Sequence, residues 1–383
     1  MRKRQNRLAN IKKVMNKDIP SLYIHIPFCK EICDYCDFTK LQYFRFMAEK
    51  YLSALKEEFK IYQPFNKLKT IYIGGGTPTC LDDDLFEELL KMVYPYTNGV
   101  LEYTVEANPE SLSLIKLQLM KKYGVNRIST GVESTDDKIL QLINRHHTYK
   151  DVVTAIKNAR SVGFNNINVD LILGLPQVSE KMLEKDLKNL LDLHVEHVSC
   201  YSLTVHPHTM FFLKNIKEPD DDYARSLYDV VDKILTDNGF IHYEVSNFAK
   251  KGFESKHNYT YWKNEQYYGL GLGASGFIDH YRYTNTRNIH AYCELNFNKE
   301  KEYIDWENDE HYYLMLNLRT IEGINLEDYH KMYGVDFLEK YGKVIDPYLK
   351  NGHLVYGKER NIIHPSYSGM MILDTILVDL FAN

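Results

Sequence analysis

Three of the six cysteines in this 383-residue chain fall within eight residues, Cys29-Lys-Glu-Ile-Cys33-Asp-Tyr-Cys36. At this cysteine content a C-x3-C-x2-C run arises by accident on the order of once per thousand chains. Thiolates grouped this closely are a metal-binding set. A structural zinc ion takes four ligands, commonly as paired C-x2-C knuckles; here no fourth cysteine is near, and His25 or a distant residue would have to complete it. A four-iron cluster commonly takes four thiolates. With three, one iron keeps an open coordination position, which is how a metal centre receives a small ligand. Cys80, Cys200 and Cys293 are isolated and read as small buried hydrophobes.

Something must hold these thiols at a common point. Apolar runs at 22–27, 70–73, 102–107, 127–132, 166–173 and 197–205 alternate with amphipathic stretches near 45–62, 83–94, 112–123, 149–162 and 180–193. Asp82, Ser111 and Ser179 stand near helix starts, Gly124 and Gly163 near helix ends. Strand–helix alternation argues for βαβ units on a parallel sheet. An eight-fold barrel needs about 250 residues. Six units within the first 205 predict an α/β fold with an open, partial (β/α)6 barrel; a doubly wound sheet is the alternative. In both, chemistry gathers at the C-terminal strand ends. The cysteine run follows the first strand, Gly74-Gly75-Gly76-Thr77 the second, Glu106 and Asn108 the third and Glu133 the fourth; Asp170 and Gly174 belong to the fifth.

The cysteine run followed by Gly74-Gly-Gly-Thr-Pro78 resembles the radical S-adenosylmethionine (radical SAM) superfamily. That resemblance implies a [4Fe–4S] cluster on Cys29, Cys33 and Cys36, its open iron chelated by S-adenosylmethionine, with an electron donor for the cluster and one electron from the cluster cleaving the sulfonium to a 5′-deoxyadenosyl radical. The segments Tyr23-Ile-His-Ile-Pro-Phe-Cys29, Val105-Glu-Ala-Asn-Pro109, Arg127-Ile-Ser-Thr-Gly-Val-Glu133, Asn144-Arg-His-His147 and Val169-Asp-Leu-Ile-Leu-Gly-Leu-Pro176 are similar to the coproporphyrinogen oxidase-like branch. Tyr243-Glu-Val-Ser-Asn-Phe-Ala249 and His257-Asn-Tyr-Thr-Tyr-Trp262 resemble the haem-chaperone (HemW) family within it, from about residue 21 to at least 323. The implied S-adenosylmethionine contacts are Tyr23, Tyr35, Gly75, Gly76, Thr77, Glu106, Arg145 and Asp170. Arg145 is suited to the methionine carboxylate, and Glu106 and Asp170 to ribose hydroxyls or the ammonium. Where the family usually has Gln, this chain has Glu133, which accepts hydrogen bonds but cannot donate an amide N–H.

The resemblance implies binding of haem and its transfer to an acceptor protein, with His257 the candidate iron ligand and Tyr261 and Trp262 offering flat apolar surface. Read without it, His257 and Trp262 are parts of a structural loop. The rival activity is oxidative decarboxylation of coproporphyrinogen III. The oxidase carries a further cysteine two residues past the third; here that residue is Phe38. His206 and His208 stand near the sixth strand end.

Hydrophobic residues are 44% and charged residues 26%, enough to bury a core, and a net charge of −5 gives no general pull toward nucleic acid. No run of about 18 apolar residues reads as a membrane span. Seven Lys and Arg precede Asp18 without an apolar stretch, so the expectation is a cytoplasmic protein with a solvated basic tail, or a start at Met15; a weak attraction to anionic lipid at a membrane periphery is the alternative. The expected segments are this tail at 1–19, the partial barrel at 20–245, a His-, Tyr- and Gly-rich stretch at 246–306, and a small, mainly helical C-terminal domain at 307–383.

Overall fold

The computed structural model describes residues 19–382 apart from 64, 66, 298 and 299. The basic segment 1–18 lies outside the described residues, and with it the expected lipid attraction. In chain order the strands are β1 (Ser21–Ile26), β2 (Phe28–Cys29), β3 (Leu41–Gln42), β4 (Thr70–Gly75), β5 (Glu102–Ala107), β6 (Arg127–Glu133), β7 (Ile167–Leu173), β8 (His197–Ser202), β9 (Ile241–Glu244), β10 (Asn247–Ala249), β11 (Tyr267–Leu270), β12 (Ser275–Ile278), β13 (Tyr281–Thr284), β14 (Glu300–Tyr303), β15 (Ile324–Asn325), β16 (Leu354–Tyr356) and β17 (Ile362–Pro365).

Two compact units emerge, one from residues up to 231 with 266–303, the other from 232–265 with 304 onward. In the first, the sheet order β1-β4-β5-β6-β7-β8 follows the chain, all pairs parallel. Helices Arg45–Tyr62, Asp83–Val93, Leu114–Lys122, Tyr149–Ser161 and Glu180–Leu191 make the crossovers. This is the open six-unit barrel expected from the alternation. Leu22, Ile24, Ile26, Ile71, Ile73 and Val105 are wholly buried, as strands covered on both faces require. The helices are started by their own side chains: Ser113 accepts from Lys116 N, and Thr148 and Asp151 form a capping box.

The His-, Tyr- and Gly-rich stretch at 246–306 contains five short strands, β10 to β14, that the sequence did not announce. β11 pairs in parallel with β1, and β12, β13 and β14 continue antiparallel from it. The β12–β13 turn is Asp279-His280, both at positive φ (51° and 64°), a two-residue hairpin built without glycine. Four-residue strands joined by such turns leave too short a period-2 pattern to read. Residues 246–306 are thereby divided, 246–265 falling in the second unit and 266–303 in the first.

Glu58 fixes this extension to the crossover helix. Its buried carboxylate accepts from Gly271 N (2.9 Å), Asn285 Nδ2 (2.8 Å) and Tyr292 OH (2.7 Å). In the second unit, helices Leu326–Tyr333 and Phe337–Lys350 form a helix-turn-helix around left-handed Gly334, followed by the β16–β17 hairpin with β15 beside β17. Tyr313, Tyr329, Tyr333 and Tyr341 fill its core.

Candidate functional site

The C-terminal rim of the six-strand sheet brings the expected residues of the first unit together. Cys29 lies on β2 and is buried; Cys33 and Cys36 lie half-buried in the following loop, and all three are free thiols. The loop is tied down on several sides. Asp34 N donates to Ile143 O (3.3 Å), Asn144 Nδ2 to Ile32 O (2.9 Å) and Phe211 N to Asp34 O (3.0 Å), while Lys214 pairs with the Asp34 carboxylate. Thr77 Oγ1 donates to Cys29 Sγ at 3.7 Å. Burial pushes the Cys29 thiol up to about 11 and raises Cys33 and Cys36 as well. Thiols in such a place ionise by binding metal, which deprotonates its sulfur ligands outright.

The donor set fits a cluster better than a single ion. His25, the alternative fourth ligand for zinc, has both ring nitrogens engaged: Tyr23 OH meets Nδ1 at 2.9 Å and Nε2 meets Thr39 O at 2.7 Å. That pairing assigns the proton to Nε2, and burial pushes the ring down to about 4, so it is neutral. Among the described residues no three His, Cys, Asp or Glu side chains converge as one ion requires. Three free thiols on one tethered loop are a donor set that a cluster held by three sulfurs would use. A cluster bound there supplies one-electron chemistry and an open iron.

The glycine loop rises against this loop. Gly75 has φ +113°, and a Cβ there would strike the His25 ring; one at Gly76 would lie 2.6 Å from Phe28 O. Gly76 N and Thr77 N donate to Ile26 O and Phe28 O. Gly75 N (2.9 Å) and Tyr72 OH (2.6 Å) both donate to Glu106. Burial raises the Glu106 carboxyl nevertheless. Tyr23 on β1 stacks obliquely 6.1 Å from Tyr72, and Tyr35 packs edge-on 6.2 Å from Phe211.

Asp170 on β7 accepts from Asn168 Nδ2 at 2.7 Å and is pushed up to about 7 by burial and by nearby Glu133. Asn168 is itself held by Ser129 (2.8 Å), His197 Nδ1 (2.6 Å) and Ser199 (3.1 Å). Arg145 follows left-handed Asn144. It donates from Nη1 to Asn108 Oδ1 at 2.9 Å and from Nη2 to Glu133. Asn108 was placed at the rim from sequence without a role, and Tyr72 and Asn168 were not singled out. Their signal is the strand period of two: Asn168 shares a face with Asp170, and Tyr72 with Gly74.

His257 lies in the second unit, on helix Lys256–Trp262, 1% exposed, with Nε2 2.8 Å from Tyr261 OH. Trp262 Nε1 is buried with no hydrogen-bond partner among the described residues. His206 and His208 are exposed in the segment after β8, His206 Nδ1 standing 3.8 Å from Asp37.

Residues 23–190 match the family model of the radical SAM superfamily. The chain is 40% identical to the heme chaperone HemW of Bacillus subtilis, over 92% of this chain and 94% of that one. It is 39% identical to the Lactococcus lactis HemW (91% and 94%) and 32% identical to that of Escherichia coli (79% and 83%). Among solved structures, the Escherichia coli coproporphyrinogen III oxidase HemN, described as a radical SAM enzyme, superposes with a TM-score of 0.83 over 97% of this chain and 93% of HemN, at 20% identity.

Proposed function

The chain belongs to the HemW family of the radical SAM superfamily, and on that footing we propose that it binds haem and transfers it to an acceptor protein. The observation that carries this reading is the extent of the likeness, which runs through both units and so includes the segment His257–Trp262. Cys29, Cys33 and Cys36 hold a [4Fe–4S] cluster in this reading, and Tyr23, Tyr35, Gly75, Gly76, Thr77, Glu106, Glu133, Arg145 and Asp170 surround S-adenosylmethionine on its open iron. An electron donor serves the cluster, the site of action is cytoplasmic, and no helix among the described residues is long and apolar enough to cross a membrane.

For haem, His257 is the proposed iron ligand. Its Nε2 meets the Tyr261 hydroxyl at 2.8 Å, so ligation exchanges that bond for iron, and the orphan Trp262 N–H supplies a donor for a polar substituent. Phe38, 69% exposed where the oxidase places a cysteine, favours haem handling over decarboxylation. The test is anaerobic. The reconstituted protein, loaded with haem and mixed with an apo-haemoprotein, is expected to give up the haem. Given a reductant, S-adenosylmethionine and coproporphyrinogen III instead, it is expected to form no protoporphyrinogen. Product formation would replace the carrier reading with the enzyme.

A further inference from the structure

Arg145 and Glu133 form an ion pair in which each side chain is 8% exposed, beside the cysteine loop. A guanidinium offers five N–H donors. One Arg145 donor goes to Glu133 and another to Asn108, while Nε is buried without a hydrogen-bond partner among the described residues. The backbone is bent to make this pair. Glu133 sits at φ 65°, in the left-handed region that a glutamate rarely adopts, where the β6–β7 register shifts between Gly131 and Glu133. Gly131 gives it room: a Cβ there would strike Arg145 and lie 2.6 Å from Glu133 Oε1. Strained backbone of this kind marks ligand sites.

We infer that Glu133 is an internal competitor for Arg145, a carboxylate that occupies the guanidinium until the carboxylate of S-adenosylmethionine displaces or shares it. This rests on the proposed placement of S-adenosylmethionine at the strand rim. A buried guanidinium needs a counter-charge, and Glu133 supplies it before the ligand arrives. When the ligand's carboxylate reaches Arg145, two negative groups face one cation in a site poor in water. S-adenosylmethionine therefore binds more weakly and exchanges faster than at a rim where this residue is neutral. Glu133→Gln keeps the shape, removes the charge and supplies an amide N–H that a ligand carboxylate accepts.

The test is equilibrium binding to anaerobically reconstituted protein, using S-adenosylmethionine and 5′-methylthioadenosine, which lacks the amino-acid carboxylate. Glu133→Gln is expected to bind S-adenosylmethionine about tenfold more tightly, the effect of about 1.4 kcal/mol, and to leave 5′-methylthioadenosine affinity unchanged. Glu133→Asn, a residue at ease in left-handed backbone, is the second variant should Gln not fold, and is expected to show the same selective gain. Equal or weaker S-adenosylmethionine binding by the variants would overturn the inference while leaving the cofactor site standing. An equal gain for both ligands would overturn the role assigned to the carboxylate. If cluster-loaded wild type and variants all fail to bind S-adenosylmethionine, the proposed cofactor site falls and the inference falls with it.

Discussion

Gly74→Ala isolates the contact between the glycine loop and Glu106. Gly74 carries no positive φ, so its backbone accepts any residue and the cost is steric alone. A Cβ there would lie 2.6 Å from Glu106 Cδ, 2.7 Å from Oε2 and 2.8 Å from Oε1. Ordinary contact needs about 3.5 Å, so the carboxyl must withdraw by close to an ångström. It is held by Tyr72 OH at 2.6 Å and Gly75 N at 2.9 Å. Hydrogen bonds to a charged group contribute about 1.5–3 kcal/mol each. Weakening both, with partial relaxation, gives a loss of about 3 kcal/mol. The assay is urea unfolding of wild type, Gly74→Ala, Glu106→Ala and the double variant. With the Glu106 carboxyl gone, Gly74→Ala is expected to cost less than about 0.5 kcal/mol, so the cycle yields a coupling near 3 kcal/mol. Equal costs in both backgrounds would refute the idea that Gly74 is there to admit Glu106.

Three further outcomes are expected. Glu58→Gln, which turns a buried three-donor acceptor into a half-matched amide, is expected to lower stability by about 2–4 kcal/mol in denaturant titration; no loss would remove Glu58 as the clamp on the β11–β14 extension. Asp170, raised to about 7 from an ordinary 3.8, binds more protons folded than unfolded between those values. Its stabilising contribution is therefore full below about pH 4 and lost as pH rises through 7, at most about 4 kcal/mol. Asp170→Asn is expected to flatten that slope in thermal melts of the cluster-free protein, and an unchanged slope would contradict it. His257→Ala is expected to weaken haem binding at least tenfold in absorbance titration while leaving cluster absorbance intact, and unchanged affinity would take His257 off the iron.

The parts legible in the sequence were those written in local pattern. Six apolar runs separated by amphipathic stretches gave the parallel strands, and the cysteine spacing with the glycine loop gave the rim where the site lies. The strands β11 to β14 were not legible, because β11 pairs with β1 more than 240 positions away, from Ser21 to Tyr267, and the β12–β13 turn is Asp279-His280. Nor did the sequence reveal that Glu133 would turn left-handed. Its carboxylate was legible as a departure from Gln, but its capture of Arg145 depends on a bulge that only sheet pairing creates. His257 shows the same limit: the motif named the residue, and packing put it out of solvent against Tyr261.

In the proposed function, Cys29, Cys33 and Cys36 hold one four-iron cluster with an iron free for S-adenosylmethionine. Electron paramagnetic resonance of the anaerobically reconstituted, dithionite-reduced protein reads that cluster. The expected result is a [4Fe–4S]+ signal that changes in g-values when S-adenosylmethionine is added and is lost when any of the three cysteines becomes Ala. A signal indifferent to S-adenosylmethionine, or one that survives those substitutions, would contradict it.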